Sequence, residues 1–311
     1  MRALLIEFKN TKLHNMNTKS KGYISAIISS VSYGLIPLFI LPLKTIGFPM
    51  NVTLFYRFFL SALFILPLLI YKKETLKISR RELISLFVLG IFFALMSEFL
   101  FLGYDYLTPG IASTIFFVYP VIVALIVFFV FKEALTKLTV LSLLITIFGV
   151  FVLSVKDSVF DINILGLCIA TLSAVFYALY IVTVNKVKIN ASSLKITFYS
   201  MLFSSVYYFV KALISGDSLL IPEAKIFFNL SLFALITTVF SILTLVYAIK
   251  LIGSTPTSIM GALEPIVAVA VSVLFFSEDF TLNLAVGVSL IVFGVVLSIV
   301  SETKKSKAEM H

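Results

Sequence analysis

The feature that most constrains this chain is a series of ten long apolar runs separated by short polar gaps. Crossing the hydrocarbon core of a membrane takes about 20 apolar residues in a helix, because only helices and closed barrels satisfy every backbone polar group in lipid. The runs are continuously apolar and lack the alternation that marks the strands of a membrane β-barrel. The sequence therefore predicts an all-α integral membrane protein with ten transmembrane helices. In chain order, the predicted segments 1 to 10 are residues 22–41, 52–71, 83–103, 108–131, 138–155, 164–184, 194–215, 227–250, 255–276 and 282–300.

Composition excludes the soluble and disordered alternatives. Hydrophobic residues make up 60% of the chain and charged residues only 13%, whereas a soluble domain averages about 45–50% apolar and about 25% charged. The 32 Phe and 13 Tyr are too many for a solvated, disordered chain. The gaps are too short to hold a separate soluble domain, so we expect no enzyme domain. The lone cysteine, Cys168, lies in an apolar run and is predicted to pack as a small hydrophobic residue.

The net charge of +9 is distributed as a sidedness signal. Of the 24 Lys and Arg residues, nineteen lie in gaps on the side of the two termini and four in gaps on the other side. The remaining one, Arg57, lies within segment 2. By the positive-inside rule, both termini of this multi-pass protein are predicted to be cytoplasmic. Basic residues confined to short gaps also argue against a nucleic-acid partner.

The chain repeats itself along its length. Each copy holds five segments, an odd number, so the second copy must enter the membrane from the opposite face. The sequence therefore predicts two inverted five-helix repeats, the usual architecture of secondary transporters. The copies span 22–155 and 164–301, and the tails 1–21 and 302–311 are predicted to be cytoplasmic. At a shift of 145 residues the aligned pairs are Pro120 with Pro265, Phe131 with Phe276, Glu133 with Glu278, Thr136 with Thr281, Phe148 with Phe293 and Gly149 with Gly294.

Motifs in both copies resemble those of the EamA family of the drug/metabolite transporter superfamily. The second copy has Gly-Ser-Thr-Pro-Thr at 253–257, Leu-Glu-Pro at 263–265 and Ser-Glu at 277–278. The first has a weaker version, with Leu-Thr-Pro-Gly-Ile-Ala-Ser at 107–113, Tyr-Pro at 119–120 and Lys-Glu at 132–133. The resemblance implies a ten-helix inner-membrane metabolite transporter, commonly an exporter, that works by alternating access. The first copy departs from the pattern, because Tyr119 occupies the glutamate position.

Three ionisable side chains lie well inside the predicted segments, where a charge is costly. Arg57 and Glu98 lie at similar depth in segments 2 and 3, which are consecutive in the chain. The simpler interpretation is a structural ion pair that joins these two helices. The alternative is that one of the two binds an ionic group of the substrate.

Glu264 lies near the middle of segment 9, next to Pro265. One interpretation is a protonated acid that is hydrogen-bonded to a neighbouring helix. The other is a carboxyl that binds a substrate amine or a coupling proton, since burial favours the protonated form. Pro120 and Pro265 are predicted to kink their helices, and the kink in segment 9 is expected to leave a backbone carbonyl facing the cavity.

Further polar side chains recur at comparable depth and predict a moderately polar, aromatic-lined cavity formed by segments 1, 3, 4, 6, 8 and 9. Such a cavity suits a small amphipathic molecule better than a phosphate, which requires several basic side chains. Packing within the helices is the alternative role for each of these residues. With Glu264 and Glu98, the candidate binding or coupling residues are Tyr33, Tyr119, Tyr177, Tyr180, Ser241 and Thr244.

Glu133 and Glu278 end segments 4 and 9 on opposite faces of the membrane, and both roles remain open for them. They either act at two gates or cap the following helices, where an acid is favourable. No metal-ligand cluster or cofactor motif is recognisable, so we expect neither a metal nor a cofactor.

The leading functional hypothesis is a transporter. Its expected partners are a small-molecule metabolite, a coupling proton and the lipid bilayer. An exporter of amino acids or similar small metabolites is one form of the hypothesis. A broad-specificity drug exporter is another. A membrane-embedded enzyme would need polar residues clustered near an interface, whereas here they lie near the middle. A monomer and a homodimer both stay open.

Overall fold

The computed structural model describes residues 2–106, 112, 115–132, 135–154, 163–187, 191–221, 223–276 and 282–308. Within these residues all regular structure is helical, as the sequence predicts. The helices are α1 (Arg2–Gly34), α2 (Ile36–Thr45), α3 (Met50–Tyr71), α4 (Arg80–Tyr106), α5 (Tyr119–Phe131), α6 (Lys137–Ser154), α7 (Ile164–Lys186), α8 (Ser193–Ser215), α9 (Ala224–Leu232), a π-helix (Phe233–Phe240), α10 (Ser241–Ile252), α11 (Ser254–Met260), α12 (Leu263–Phe276) and α13 (Leu282–Ala308).

Six helical stretches in the described residues are long and apolar enough to cross a membrane, and three more are apolar but shorter. The long stretches include α1 with α2, and α9 with the π-helix and α10, each of which continues as one rod. The protein is therefore an all-helical, multi-pass membrane protein. The six long stretches are Thr18–Thr45, Met50–Tyr71, Arg80–Gly103, Ile164–Lys186, Ser193–Ser215 and Ala224–Ile252, and the shorter ones are Tyr119–Phe131, Lys137–Gly149 and Ala285–Gly294.

The main helix contacts join a helix of one sequence copy to a helix of the other copy. Helix α4 of the first copy packs on α7 of the second, and α10 of the second packs on α1 of the first. Likewise α5 packs on α7, and α12 packs on α1. Two further pairs, α3 with α8 and α6 with α13, join equivalent helices of the two copies. Each of these contacts thus maps onto itself or onto its counterpart when the copies are exchanged.

The crossing of α6 and α13 shows this symmetry at atomic level. A Cβ added at Gly294 would lie 2.2 Å from Oγ1 of Thr146, and a Cβ added at Gly149 would lie 2.9 Å from Cβ of Leu290. Small residues let helix backbones approach closely in lipid, where dispersion and hydrogen bonds replace the hydrophobic effect. The aligned glycines Gly149 and Gly294 therefore define the contact between the last helices of the two copies.

Helices α3 and α8 are joined at both ends by equivalent hydrogen bonds. At one end the Tyr56 hydroxyl donates to the carbonyl of Leu219 at 2.7 Å. At the other end the Tyr199 hydroxyl donates to the carbonyl of Leu76 at 2.5 Å. Each bond joins a residue near the start of one helix to the gap that follows the end of the other helix. The α3–α8 pair is therefore held at both of its ends.

We predict that Gly294→Leu lowers the free energy of unfolding by about 1–3 kcal/mol, because the new side chain overpacks the α6–α13 crossing. Thermal unfolding in detergent measures the loss. The matched control is Val292→Leu on the exposed side of the same helix, which should leave the melting temperature close to that of the unmodified protein. Equal losses from both variants would show that the crossing does not depend on Gly294.

Candidate functional site

The centre of the molecule is marked by interruptions in predicted segments 4 and 9. In segment 4 the chain turns at residues 117–118, and α5 begins directly afterwards with Pro120 in its first turn. In segment 9 it turns at residues 261–262, and α12 follows with Pro265 in its first turn. Proline is tolerated there because the first turn has no helical partner for its missing N–H. The two prolines thus begin new helices at nearly equivalent positions of the copies.

The break in segment 9 changes the backbone hydrogen bonds around Glu264. The Glu264 N–H donates to the carbonyl of Gly261 at 2.9 Å instead of to Met260. The Met260 carbonyl accepts from the Ser30 hydroxyl of α1 at 3.0 Å. The sequence-based expectation of a carbonyl left open to a cavity is therefore corrected at this break. The carbonyl of Gly261, which Pro265 cannot bond, accepts from Glu264, and Ser30 satisfies the Met260 carbonyl and fixes α1 to it.

Tyr119, which aligns with Glu264 in the repeat, reaches across to this break. A Cβ added at Gly261 would lie 1.5 Å from the Tyr119 hydroxyl oxygen, so only glycine leaves room for the phenol. Gly34 on α1 has a similar relation to Glu264, because a Cβ there would lie 2.7 Å from the Glu264 carbonyl oxygen. Two glycines therefore allow α1, α5 and the start of α12 to meet beside Glu264.

Three buried aromatic rings form a row at this meeting point, which we call the tyrosine row: Tyr33, Tyr177 and Tyr119. The Tyr33 and Tyr177 rings stack at 6.3 Å with an interplanar angle of 9°. The Tyr177 and Tyr119 rings meet edge to face at 4.6 Å. Tyr180 joins the row through Phe93, whose ring centroid lies 5.2 Å away. The structure therefore brings together four tyrosines that the sequence singled out on segments 1, 4 and 6.

The Glu264 side chain is buried beside the tyrosine row. It interacts electrostatically with the hydroxyls of Tyr119 and Tyr177. Among the described residues, no cation pairs with its carboxyl and no side chain donates a hydrogen bond to it. A carboxyl with unused acceptors in this position is suited to hold an ammonium group or a proton.

Arg57 is also fully buried, at 1% exposure, close to the opposite end of the tyrosine row. Its Nε donates to the Thr238 hydroxyl of the π-helix at 2.8 Å. Its Cζ lies 4.7 Å from the ring centroid of Phe233 and 5.5 Å from that of Tyr33. Its Nη2 has no hydrogen-bond partner. A π-helix often marks a functional site, and here it receives the only intramembrane arginine that the sequence identifies.

The structure corrects the predicted pairing of Glu98. Its carboxylate pairs with Lys211 of α8 at 2.5 Å and also accepts a hydrogen bond from Tyr207. Arg57 forms no ion pair with the described acids. The two side chains point in different directions around their helices: Arg57 points from α3 to the π-helix, whereas Glu98 points from α4 to α8. Equal depth on consecutive helices therefore does not bring them together.

The remaining sequence candidates have mostly structural contacts. Ser241 donates to the carbonyl of Ser29 at 3.1 Å and so joins α10 to α1. Thr244 donates within its own helix, to the carbonyl of Phe240 at 2.6 Å. Glu133 and Glu278 lie outside the described residues. No group of three or more metal-ligating side chains occurs in the part of the chain that the structure describes.

Sequence reasoning missed three side chains that enclose Arg57. Phe233 and Phe58 contribute ring faces 4.7 Å and 5.4 Å from the Arg57 Cζ, and Thr238 contributes the hydrogen bond described above. None of the three has a distinctive spacing that separates it from the many similar residues of the chain. The usable signal was Arg57 itself, because a buried guanidinium requires acceptors and ring faces from neighbouring helices.

Comparison with known proteins gives a consistent result. The EamA-like transporter family matches residues 20–155 and again residues 164–300. A solved crystal structure shares the fold with a TM-score of 0.80 at 14% identity, over 92% of this chain and 98% of its own.

Curated relatives are similar over most of the chain. An uncharacterized transporter of Clostridium kluyveri is 22% identical over 91% of this chain and 94% of its own. The uncharacterized transporter YyaM of Bacillus subtilis is 26% identical over 70% of this chain and 74% of its own. The uncharacterized transporter YvbV of Bacillus subtilis is 28% identical over 67% of each chain.

The pairing of Glu98 gives a testable stability prediction. In a double-mutant cycle, Glu98→Gln and Lys211→Met should be coupled by about 0.2–1 kcal/mol, the range for a partly exposed ion pair. The matched cycle of Glu98→Gln with Arg57→Gln should be additive. Thermal unfolding in detergent measures both cycles, and coupling confined to the Arg57 cycle would contradict the assigned pairing.

Proposed function

Because the chain belongs to the EamA family of the drug/metabolite transporter superfamily, we propose that it is a secondary transporter of amino acids or similar small metabolites. It crosses the cell membrane ten times as two inverted copies and exports its substrate by alternating access. The observation that carries the proposal is the buried Glu264 carboxyl, which has no partner among the described residues and lies where two interrupted helices meet. Substrate sites of inverted-repeat transporters lie near the midplane at such interruptions.

The helix packing supports a specific pair of moving units. Helices α4, α5 and α7 form one unit, and α1, α10 and α12 form the counterpart from exchanged parts of the two copies. The Tyr119–Gly261 contact joins these units at the centre. When one unit moves against the other, the site beside this contact opens first to one face of the membrane and then to the other. The α3–α8 and α6–α13 pairs serve as fixed supports.

Glu264 is the residue that we assign to substrate amine binding and to proton coupling. The tyrosine row supplies aromatic faces on which an amphipathic substrate packs, and a cation near such faces is further stabilised. Binding of the amine requires the ionised carboxylate, so arrival of a proton displaces the substrate. Competition between amine and proton for one carboxyl couples export to proton movement in the opposite direction.

A broad-specificity drug exporter is the second candidate. It is favoured by the combination of one buried acid with several aromatic rings, which is the chemistry that a lipophilic cation requires. The same cavity and the same motion serve both candidates. They differ in whether the substrate must carry a group that pairs with Arg57.

The proposed orientation is tested by labelling single cysteines in a Cys168→Ser background. We expect Asp217→Cys, on the side with few basic residues, to react with a membrane-impermeant thiol reagent in intact cells. Lys73→Cys should react only after the membrane is opened. The reverse pattern would place both termini outside.

The transport mechanism predicts that Glu264→Gln lowers proton-driven flux at least about tenfold, because the amide neither binds a proton nor pairs with an amine. The measurement is counterflow and pH-gradient-driven uptake in proteoliposomes, with amino acids, nucleosides, sugars and lipophilic cations as substrates. Glu98→Gln is the matched control and should retain flux, since Glu98 pairs with Lys211 outside the row. Full pH-dependent flux from Glu264→Gln would remove Glu264 from the mechanism.

A further inference from the structure

Arg57 is a buried cation to which the described part of the protein offers no anion. A charge in the membrane interior costs several kcal/mol or more unless it is paired. Three ring faces and the Thr238 hydroxyl compensate part of this cost. None of them supplies a negative charge. The site is therefore electrostatically incomplete without a bound anion.

The free donor of Arg57 identifies what is missing. A guanidinium carries five N–H donors in a planar fork that matches a carboxylate. The Nε donor is used by Thr238, whereas Nη2, buried in the interior, donates to nothing. The free N–H groups of Nη2 form a donor site for an anion, because an oxyanion supplies both a compensating charge and hydrogen-bond acceptors.

Arg57 lies against Tyr33 at one end of the tyrosine row, and Tyr119 at the other end reaches Gly261, three residues before Glu264. Arg57 and Glu264 do not pair with each other among the described residues. The ring contacts of Tyr33, Tyr177 and Tyr119 therefore link the surroundings of the two oppositely charged groups. A single ligand with a carboxylate and an ammonium group satisfies both, whereas a ligand with one charge leaves the other side uncompensated.

We propose that Arg57 binds the carboxylate of the transported substrate while Glu264 binds its amine, so that the site selects zwitterions and rejects lipophilic cations. This inference rests on the proposed transport function, which it sharpens. A lipophilic cation on the tyrosine row would face the Arg57 charge at close range in a medium of low polarity. Arg57 is thus the residue that separates the metabolite exporter from the drug exporter.

The experiment uses ligands that share a carbon skeleton and differ only in charge. The probes are L-phenylalanine, L-phenylalaninamide and 3-phenylpropionate, with L-leucine, L-leucinamide and 4-methylpentanoate as the aliphatic set. Thermal shift in detergent gives binding, and counterflow in proteoliposomes gives transport. Tetraphenylphosphonium tests the cation arm, and exchange of chloride for gluconate tests whether an inorganic anion occupies the Arg57 site.

In the unmodified protein, we expect each amino acid of a binding set to bind at least about tenfold more tightly than its amide. Arg57→Gln should weaken amino-acid binding about 30-fold or more, because it removes one partner of a buried charge pair. The amino acid and its amide should then bind alike. Lys211→Met, which removes a cation outside the row, should leave the ratio unchanged. Arg57→Lys, which keeps the charge, should retain part of the discrimination and serves if Arg57→Gln does not fold.

Several outcomes would overturn the assignment. A ratio of amino acid to amide that is unchanged in Arg57→Gln or Arg57→Lys would leave Arg57 a purely structural cation held by its rings. Tight binding of tetraphenylphosphonium or the amides would contradict zwitterion selection while leaving transport intact. A stabilising effect of chloride without any effect of carboxylates would assign Arg57 to an inorganic anion. Absence of counterflow for every probe class would instead refute the proposed transport function.

Discussion

In the hydrocarbon core of a membrane, water cannot supply a hydrogen bond to a polar group that lacks a protein partner, and the rest of the structure depends on this constraint. It forces the described chain into helices, whose backbone groups satisfy one another. Where the helices break, side chains provide the missing hydrogen bonds. The Ser30 hydroxyl, for example, donates to the Met260 carbonyl. Against this background two ionisable groups stand out among the described residues: the Nη2 of Arg57, which has no hydrogen-bond partner, and the buried Glu264 carboxyl, with which no described cation pairs.

The same constraint distinguishes helix pairs that are in contact along their length or at both ends from a contact made by a single side chain. At the α6–α13 crossing, aligned glycines bring two backbones together over a continuous interface. The α3–α8 pair is held at both ends by tyrosine hydroxyls that donate to carbonyls. By contrast, Tyr119 meets Gly261 through one phenol packed against one glycine. In the alternating-access mechanism that we propose, this is the contact that breaks and re-forms.

Sequence reasoning could predict the apolar segments, the repeat and the burial of Glu264, because all three depend on position along the chain. The all-helical fold and the family are confirmed by the structure and by the comparisons. The pairing of Glu98 could not be predicted, because depth in a segment does not specify the direction in which a side chain points. The partner of Glu98, Lys211, lies in predicted segment 7, on a different helix whose orientation the sequence does not give. The role of Thr238 depends on a π-helix, for which the sequence has no periodic signal.

The broken symmetry of the centre explains how an inverted repeat can bind an asymmetric substrate. The repeat aligns Tyr119 with Glu264, so one position holds a phenol and its counterpart a carboxyl. Two carboxyls there would repel each other when both are ionised, and a tyrosine avoids that repulsion. The register that relates Tyr56 to Tyr199 likewise relates Arg57 to Ser200, so the cation too has a neutral counterpart. One charge of each sign, contributed by different copies, gives the site a polarity that the backbone symmetry lacks, so the zwitterion that we propose as substrate would bind in one orientation only.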